Sequence, residues 1–115
     1  MAFLLVYWKG LEMSSNVFVK SGRVSDLLAA TAAATVTGDW KYKDAPQSAI
    51  QVVATAAATV VFDVSNDGIN AVATTLATVT LAAAGSDGFT TDAPWKYIRA
   101  RVTANSGTVN VIMSV

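Results

Sequence analysis

From residue 50 to residue 64 the side chains alternate in character. Ile50, Val52, Ala54, Ala56, Ala58, Val60, Phe62 and Val64 fall on one face of an extended chain. Gln51, Thr55, Thr59 and Asp63 fall on the other, with Val53, Ala57 and Val61. A repeat of two is the period of a strand; a helix repeats every 3.6 residues. A single strand over the whole run would be about 50 Å long at roughly 3.3 Å per residue. Ordinary domains do not hold such a strand, so the pattern predicts a bend or a hairpin near residues 56–58.

The same alternation returns further on. Ala77, Val79 and Leu81 alternate with Thr78 and Thr80, and Ile98, Ala100 and Val102 with Arg99, Arg101 and Thr103. Val109, Val111, Met113 and Val115 alternate with Asn110 and Ser114. Turn-forming residues separate these runs: Gly38-Asp39, Asp44-Ala45-Pro46, Ser65-Asn66-Asp67-Gly68, Gly85-Ser86-Asp87-Gly88, Asp92-Ala93-Pro94 and Asn105-Ser106-Gly107. Asn105-Ser106-Gly107 is read as a hairpin loop between the last two strands. Spacings of about 8 to 20 residues suit a sandwich or barrel. Near the start, Phe3, Leu5 and Tyr7 oppose Leu4, Val6 and Trp8, so both faces are apolar. Residues 1–10 therefore fit a buried strand or an intersubunit strand. Ser25 can cap a helix that Leu27, Leu28, Ala29 and Ala30 propagate, while Thr31, Thr35 and Val36 resist it. The expectation is an all-β chain, an antiparallel, jelly-roll-like β-sandwich of about eight strands. A short helix near residues 26–35 is the alternative over that stretch. Residues 1–115 are read as a single domain.

Composition narrows the function classes. Lys plus Arg and Asp plus Glu number 8 each, and charged residues make up 14% of the chain, against roughly 25% in an average soluble protein. A balanced charge lacks the basic footprint of a nucleic-acid binder. Cys and His are absent and Glu12 is the one Glu. Thiol nucleophiles, disulfides, zinc fingers and imidazole triads are thereby excluded, and catalysis is not expected. Low charge favours association, so the surface is expected to be covered by copies of the chain or by a partner. The apolar run at residues 2–8 has no preceding Lys or Arg and falls far short of the ~20 residues that span a bilayer. No membrane association and no cofactor are expected.

Few residues suggest a site. Asp63-Val64-Ser65-Asn66-Asp67-Gly68 opens like a calcium loop, but its twelfth position is Thr74 where a bidentate Glu belongs. A turn stabilised by Asx bonds, with Gly68 at positive φ, is the better reading. The Asp residues sit mostly in turns, which argues against a paired-carboxylate hydrolase. Trp95, Tyr97, Arg99 and Arg101 share one strand face and, with Trp40 and Tyr42, carry residue types enriched at interfaces. The same types build sugar platforms. Trp95 is expected to pack into the second sheet, whereas Arg99 and Arg101 are expected to be exposed and to touch a partner. Lys41, Lys43 and Lys96 alternate with Asp39, Asp44 and Asp92 and read as a solvated mixed face. Residues 30–36, ATAAATV, recur as residues 54–60, an echo that duplication and low complexity explain equally well.

A longer string of features carries a resemblance. Residues 60–68 read VVFDVSNDG, followed by a Thr-rich strand, Asp87-Gly88-Phe89, APWKYIRARVT at residues 93–103 and a closing GTVNV strand. This pattern, over residues 50–115, resembles the small β-sandwich virion proteins of tailed bacteriophages, of the head decoration or cement type. The resemblance implies a structural protein of the particle that binds the major capsid protein or other virion subunits as a dimer or trimer. It also implies synthesis in the host cytoplasm and a final place in the virion. Phe3, Leu5, Tyr7 and Trp8 are the candidate strand for stapling neighbouring subunits. The alternative is a tail or fibre accessory module that binds carbohydrate or a host surface through Trp40, Tyr42, Trp95 and Tyr97.

Overall fold

A computed structural model describes residues 24–43 and 47–114, which form nine strands and no helix. One sheet has four strands in the order β1 (Val24–Thr31), β9 (Val109–Ser114), β4 (Ser48–Ala54) and β7 (Gly85–Thr91). In the other, β8 (Tyr97–Asn105) lies beside β5 (Ala58–Ser65), which in turn pairs with β6 (Ala77–Leu81). The free side of β8 takes two short strands end to end, β2 (Val36–Thr37) and β3 (Lys41–Tyr42). Every pairing is antiparallel.

The pairings nest. β5 pairs with β6, β4 with β7, β2 and β3 with β8, and β1 with β9. The described residues thus form one long antiparallel ribbon, doubled at the β5–β6 turn and folded over itself into two layers. With β2 and β3 filling a single position, this is an eight-position jelly roll, and the expected all-β antiparallel sandwich is what the strands form.

The layers meet on their alternate residues. Ile50, Val52 and Ala54 of β4 and Val109, Val111 and Met113 of β9 face Val60, Phe62 and Val64 of β5 and Ile98, Ala100 and Val102 of β8. Leu27 closes one margin of this core. Phe89 closes another, its ring edge-on to Phe62 at 5.1 Å and 70°. These aliphatic and aromatic side chains leave water together, which is the main source of stability in so lightly charged a domain.

Four expectations need correction. Residues 24–31 form a strand, not a helix, because pairing with β9 outweighs the weak helical preference of the Leu and Ala residues; register shifts after Asp26 and Leu28 absorb the misfit. The loop after Asn105 is not a hairpin, since β8 and β9 lie in different sheets. Gly85-Ser86-Asp87-Gly88 is not a turn but half of β7, paired residue for residue with β4 from Ala54↔Gly85 to Ser48↔Thr91. Lys43 is not on a solvated face. It is 4% exposed, and its Nζ donates to the Ala93 carbonyl at 2.6 Å. Burial pushes the Lys43 amine below its ordinary value, against the opposing pull of Asp92. The break expected at residues 56–58 does occur, as a bend that carries the chain from one sheet to the other. The candidate strand within residues 1–10 lies outside the described residues.

The ATAAATV echo has a structural meaning. Both copies leave the first sheet at the end of β1 or β4 and enter the second at β2 or β5. They flank β9 in one layer and β8 in the other, in equivalent registers. Leu28 and Val52 both face Val111, Val36 and Val60 both face Val102, and Thr37 and Val61 both face Arg101. The returning arch from β8 to β9 runs between them. Asn105 Nδ2 donates to the Thr31 and Ala33 carbonyls at 3.3 and 3.0 Å on one side. On the other, Ser106 N donates to Ala57 O, Thr55 N to Thr108 O and Thr108 N to Thr55 Oγ1, at 2.8–3.0 Å. Gly107 is required there, since a Cβ would come within 2.4 Å of Thr55 Oγ1.

Candidate functional site

The outer face of the second sheet carries the polar and aromatic side chains that the sequence singled out. Alternation along β8 turns Ile98, Ala100 and Val102 inward and Tyr97, Arg99, Arg101 and Thr103 outward. On β5 the residue opposite Arg99 is Asp63. Its carboxylate accepts from Arg99 Nε and Arg101 Nε at 3.0 Å through Oδ2, and from Arg101 Nη2 at 3.1 Å through Oδ1. The Asp63 side chain is 4% exposed, that of Arg99 23% and that of Arg101 36%. Hydrogen bonding from Arg101 is the main cause holding the Asp63 carboxyl below its ordinary value; Arg99 adds to it and burial opposes it. Reciprocally, Asp63 raises the Arg101 guanidinium. Two cations share one anion, so the cluster keeps one net positive charge in a chain of zero net charge.

The aromatic residues are less available than their types suggested. Trp40 carries the Arg99 guanidinium 4.5 Å above its ring. Tyr97 meets Tyr42 edge-on at 5.5 Å, and the 65–70 turn backs its ring. That turn comes close because Gly68, at φ 70°, has no Cβ, and an added one would lie 3.3 Å from the Tyr97 ring. Trp95 precedes β8 and packs against the core, as expected. Tyr42, at 55% exposed, is the open ring of the group. The structure therefore brings Trp40, Tyr42, Tyr97, Arg99 and Arg101 together and leaves Trp95 apart. Arg99 and Arg101 are half-covered and committed to Asp63 rather than fully exposed. Phe3, Leu5, Tyr7 and Trp8 lie outside the described residues.

Residues 63–68 form the turn and not a metal loop. Asp63 is turned onto the arginines. Asp67 accepts from the Ser65 hydroxyl at 2.7 Å and from the backbone N–H groups of Ile69 and Asn70 at 2.9 Å. These bonds, with Ser65 foremost, hold the Asp67 carboxyl well below the usual carboxylate range.

A hollow of about 470 Å³ opens at the far end of β8, lined by Thr35, Val36, Thr37, Arg101, Val102 and Thr103. The sequence reading missed it. Thr35 and Thr37 alternate around Val36 just as Arg101 and Thr103 do around Val102, but only the β2–β8 register puts the two patterns side by side.

The fold and face together define an all-β jelly-roll domain whose distinctive surface is polar and cationic. No family model and no curated protein matches the chain. Among solved structures, the fold matches the crystal structure of PBSX exported protein XepA with a TM-score of 0.62 and 21% identity. The match covers 89% of this chain and 39% of that one, so the chain spans well under half of that protein's length. At this identity the likeness is one of fold.

Proposed function

We propose that this chain is a structural protein of a tailed-phage virion, most specifically a decoration or cement protein that staples neighbouring shell subunits. The observation that carries the reading is the jelly-roll likeness to a phage-related exported protein over 89% of the chain. The virion-protein pattern of residues 50–115 supports it independently. A chain without His or Cys, with a single Glu, suits a binding role better than an enzymatic one. The partners in this reading are the major capsid protein or other virion subunits, met by a dimer or trimer of the chain. Stapling needs no strong single contact, because repetition over a lattice raises effective concentration. Band quantitation on purified particles tests it: hundreds of copies per particle support decoration, and a handful rules it out.

A second reading is favoured by the outer face of β8. An exposed Tyr42, packed on Tyr97 on the face that carries Arg99 and Arg101, also suits a tail or fibre module that binds carbohydrate or a host surface. Low copy number together with a positive glycan array would select it.

A further inference from the structure

We propose that the hollow on the outer face of the β2–β8 pair binds the carboxylate of an acidic saccharide, a sugar of the uronic or sialic acid type. The proposal rests on the carbohydrate reading of this face and names its ligand class.

Three observations converge on it. First, the charge is in surplus and held in place. Asp63 takes Nε and Nη2 of Arg101 and Nε of Arg99, so Arg101 Nη1 and both terminal nitrogens of Arg99 have no protein acceptor among the described residues. A guanidinium already fixed by one carboxylate offers its other N–H groups to a second without first losing side-chain freedom. Asp63 is thus a positioning residue, and Arg101 the one that touches ligand.

Second, the lining is hydroxyl-rich. Thr35, Thr37 and Thr103 surround Arg101, while Val36 and Val102, which also line the hollow, turn their side chains to the core. Protein-binding patches are poor in small hydroxyl residues and rich in large apolar ones. Hydroxyls that both donate and accept match the hydroxyls of a sugar ring. The composition favours a saccharide over an acidic peptide.

Third, the size and direction fit. The hollow, about 470 Å³, is open to solvent rather than enclosed, so it holds one end of a longer saccharide and not a whole one. From the Thr35–Thr103 end the outer face continues past Arg101 and Arg99 to Tyr97 and the exposed Tyr42. This track is about 20 Å long at strand rise. A sugar anchored by its carboxylate at Arg101 can extend along it towards Tyr42.

The test is an amide and guanidinium shift titration of the full chain. The probes are trigalacturonate, the neutral galactose trisaccharide, 3′-sialyllactose, lactose and a pentaglutamate peptide. The acidic sugars are expected to move Thr37, Arg101 and Thr103 and to bind less tightly as salt rises. Arg101→Lys keeps a cation beside Asp63 but loses the fork, and is expected to weaken acidic-sugar binding roughly tenfold. Thr37→Val with Thr103→Val is expected to weaken it several-fold with the melting temperature unchanged. Equal binding of neutral and acidic sugars, or binding centred on Tyr42 alone, overturns this inference and keeps the carbohydrate reading. Pentaglutamate matching trigalacturonate in affinity and shifts also overturns it. No shift with any saccharide at tens of millimolar defeats both.

Discussion

Replacing Asp63 by Asn removes the buried anion from a half-covered two-arginine cluster while keeping its shape. The carboxylate takes three charge-assisted bonds at 3.0–3.1 Å. Charge-assisted bonds contribute about 1.5–3 kcal/mol each when buried. Arg99 and Arg101 keep 23% and 36% of their side-chain surface in water, so both rehydrate in part and solvent screening discounts the sum. The amide oxygen of Asn still accepts one bond, while its NH₂ meets donors. The expected loss is about 2–3 kcal/mol at pH 7, or a fall in melting temperature of about 8–12 °C for a domain of this size. The difference must also depend on pH. The Asp63 carboxyl is depressed in the folded state, so its stabilisation is complete above the unfolded value of about 3.9 and fades as pH falls towards the folded one. Urea unfolding of both proteins at pH 7, 5, 4 and 3 reads this directly. The gap between them should hold from pH 7 to 5 and narrow below. Asp67 is also depressed but is common to both proteins, so its contribution cancels. A loss under about 0.5 kcal/mol, the size of an ordinary surface substitution, or a gap that does not change with pH, refutes the reasoning.

Three further outcomes test the fold. Val111 has no exposed surface and sits in β9 between β1 and β4, so Val111→Ala should cost about 2–3 kcal/mol by chemical denaturation, two lost methyl groups plus the space they leave. Gly107→Val forces a side chain onto Thr55 and Ala56 and should cost about 1–3 kcal/mol, whereas Ser106→Ala, exposed beside it, should cost little. Removing residues 109–115 deletes an inner strand of the first sheet and should abolish the cooperative thermal transition; an unchanged melting temperature would show that β9 is misassigned.

Much of the two-layer design is legible in the sequence because burial on one face of a strand writes itself as alternation. β4, β5, β6, β8 and β9 all stand out this way, and the bend near residue 56 follows from length alone. β7 does not. Its Gly85, Ser86, Asp87 and Gly88 have turn chemistry, and seven consecutive pairings with β4 make them a strand. Residues 26–35 leave a short helix open as an alternative for the same reason: the deciding partner, β9, pairs with residues 24–31 across 78 to 90 positions. Asn105-Ser106-Gly107 serves a hairpin or an arch equally well, and only the sheet each neighbouring strand joins decides between them. Within the site, alternation places Arg99 and Arg101 on one face, but their anion comes from β5 through a register that local pattern does not encode. Lys43 shows the converse, a charged residue among acids that reads as surface and is buried with its amine on the Ala93 carbonyl.

The nesting of the pairs also sets an order of assembly. Phe62 and Ala77 meet across 15 positions, whereas Val24 and Ser114 meet across 90. Closing the wider loop first from an open chain costs about 1.6 kcal/mol more by loop entropy. On that ground the ribbon is expected to zip outward from the β5–β6 turn, with its outermost rung closing last. Such a topology folds slowly, in milliseconds to seconds. Until that rung closes, one flank of β9 stays open, and at high concentration β1 of another molecule can fill it, giving an exchanged dimer on refolding.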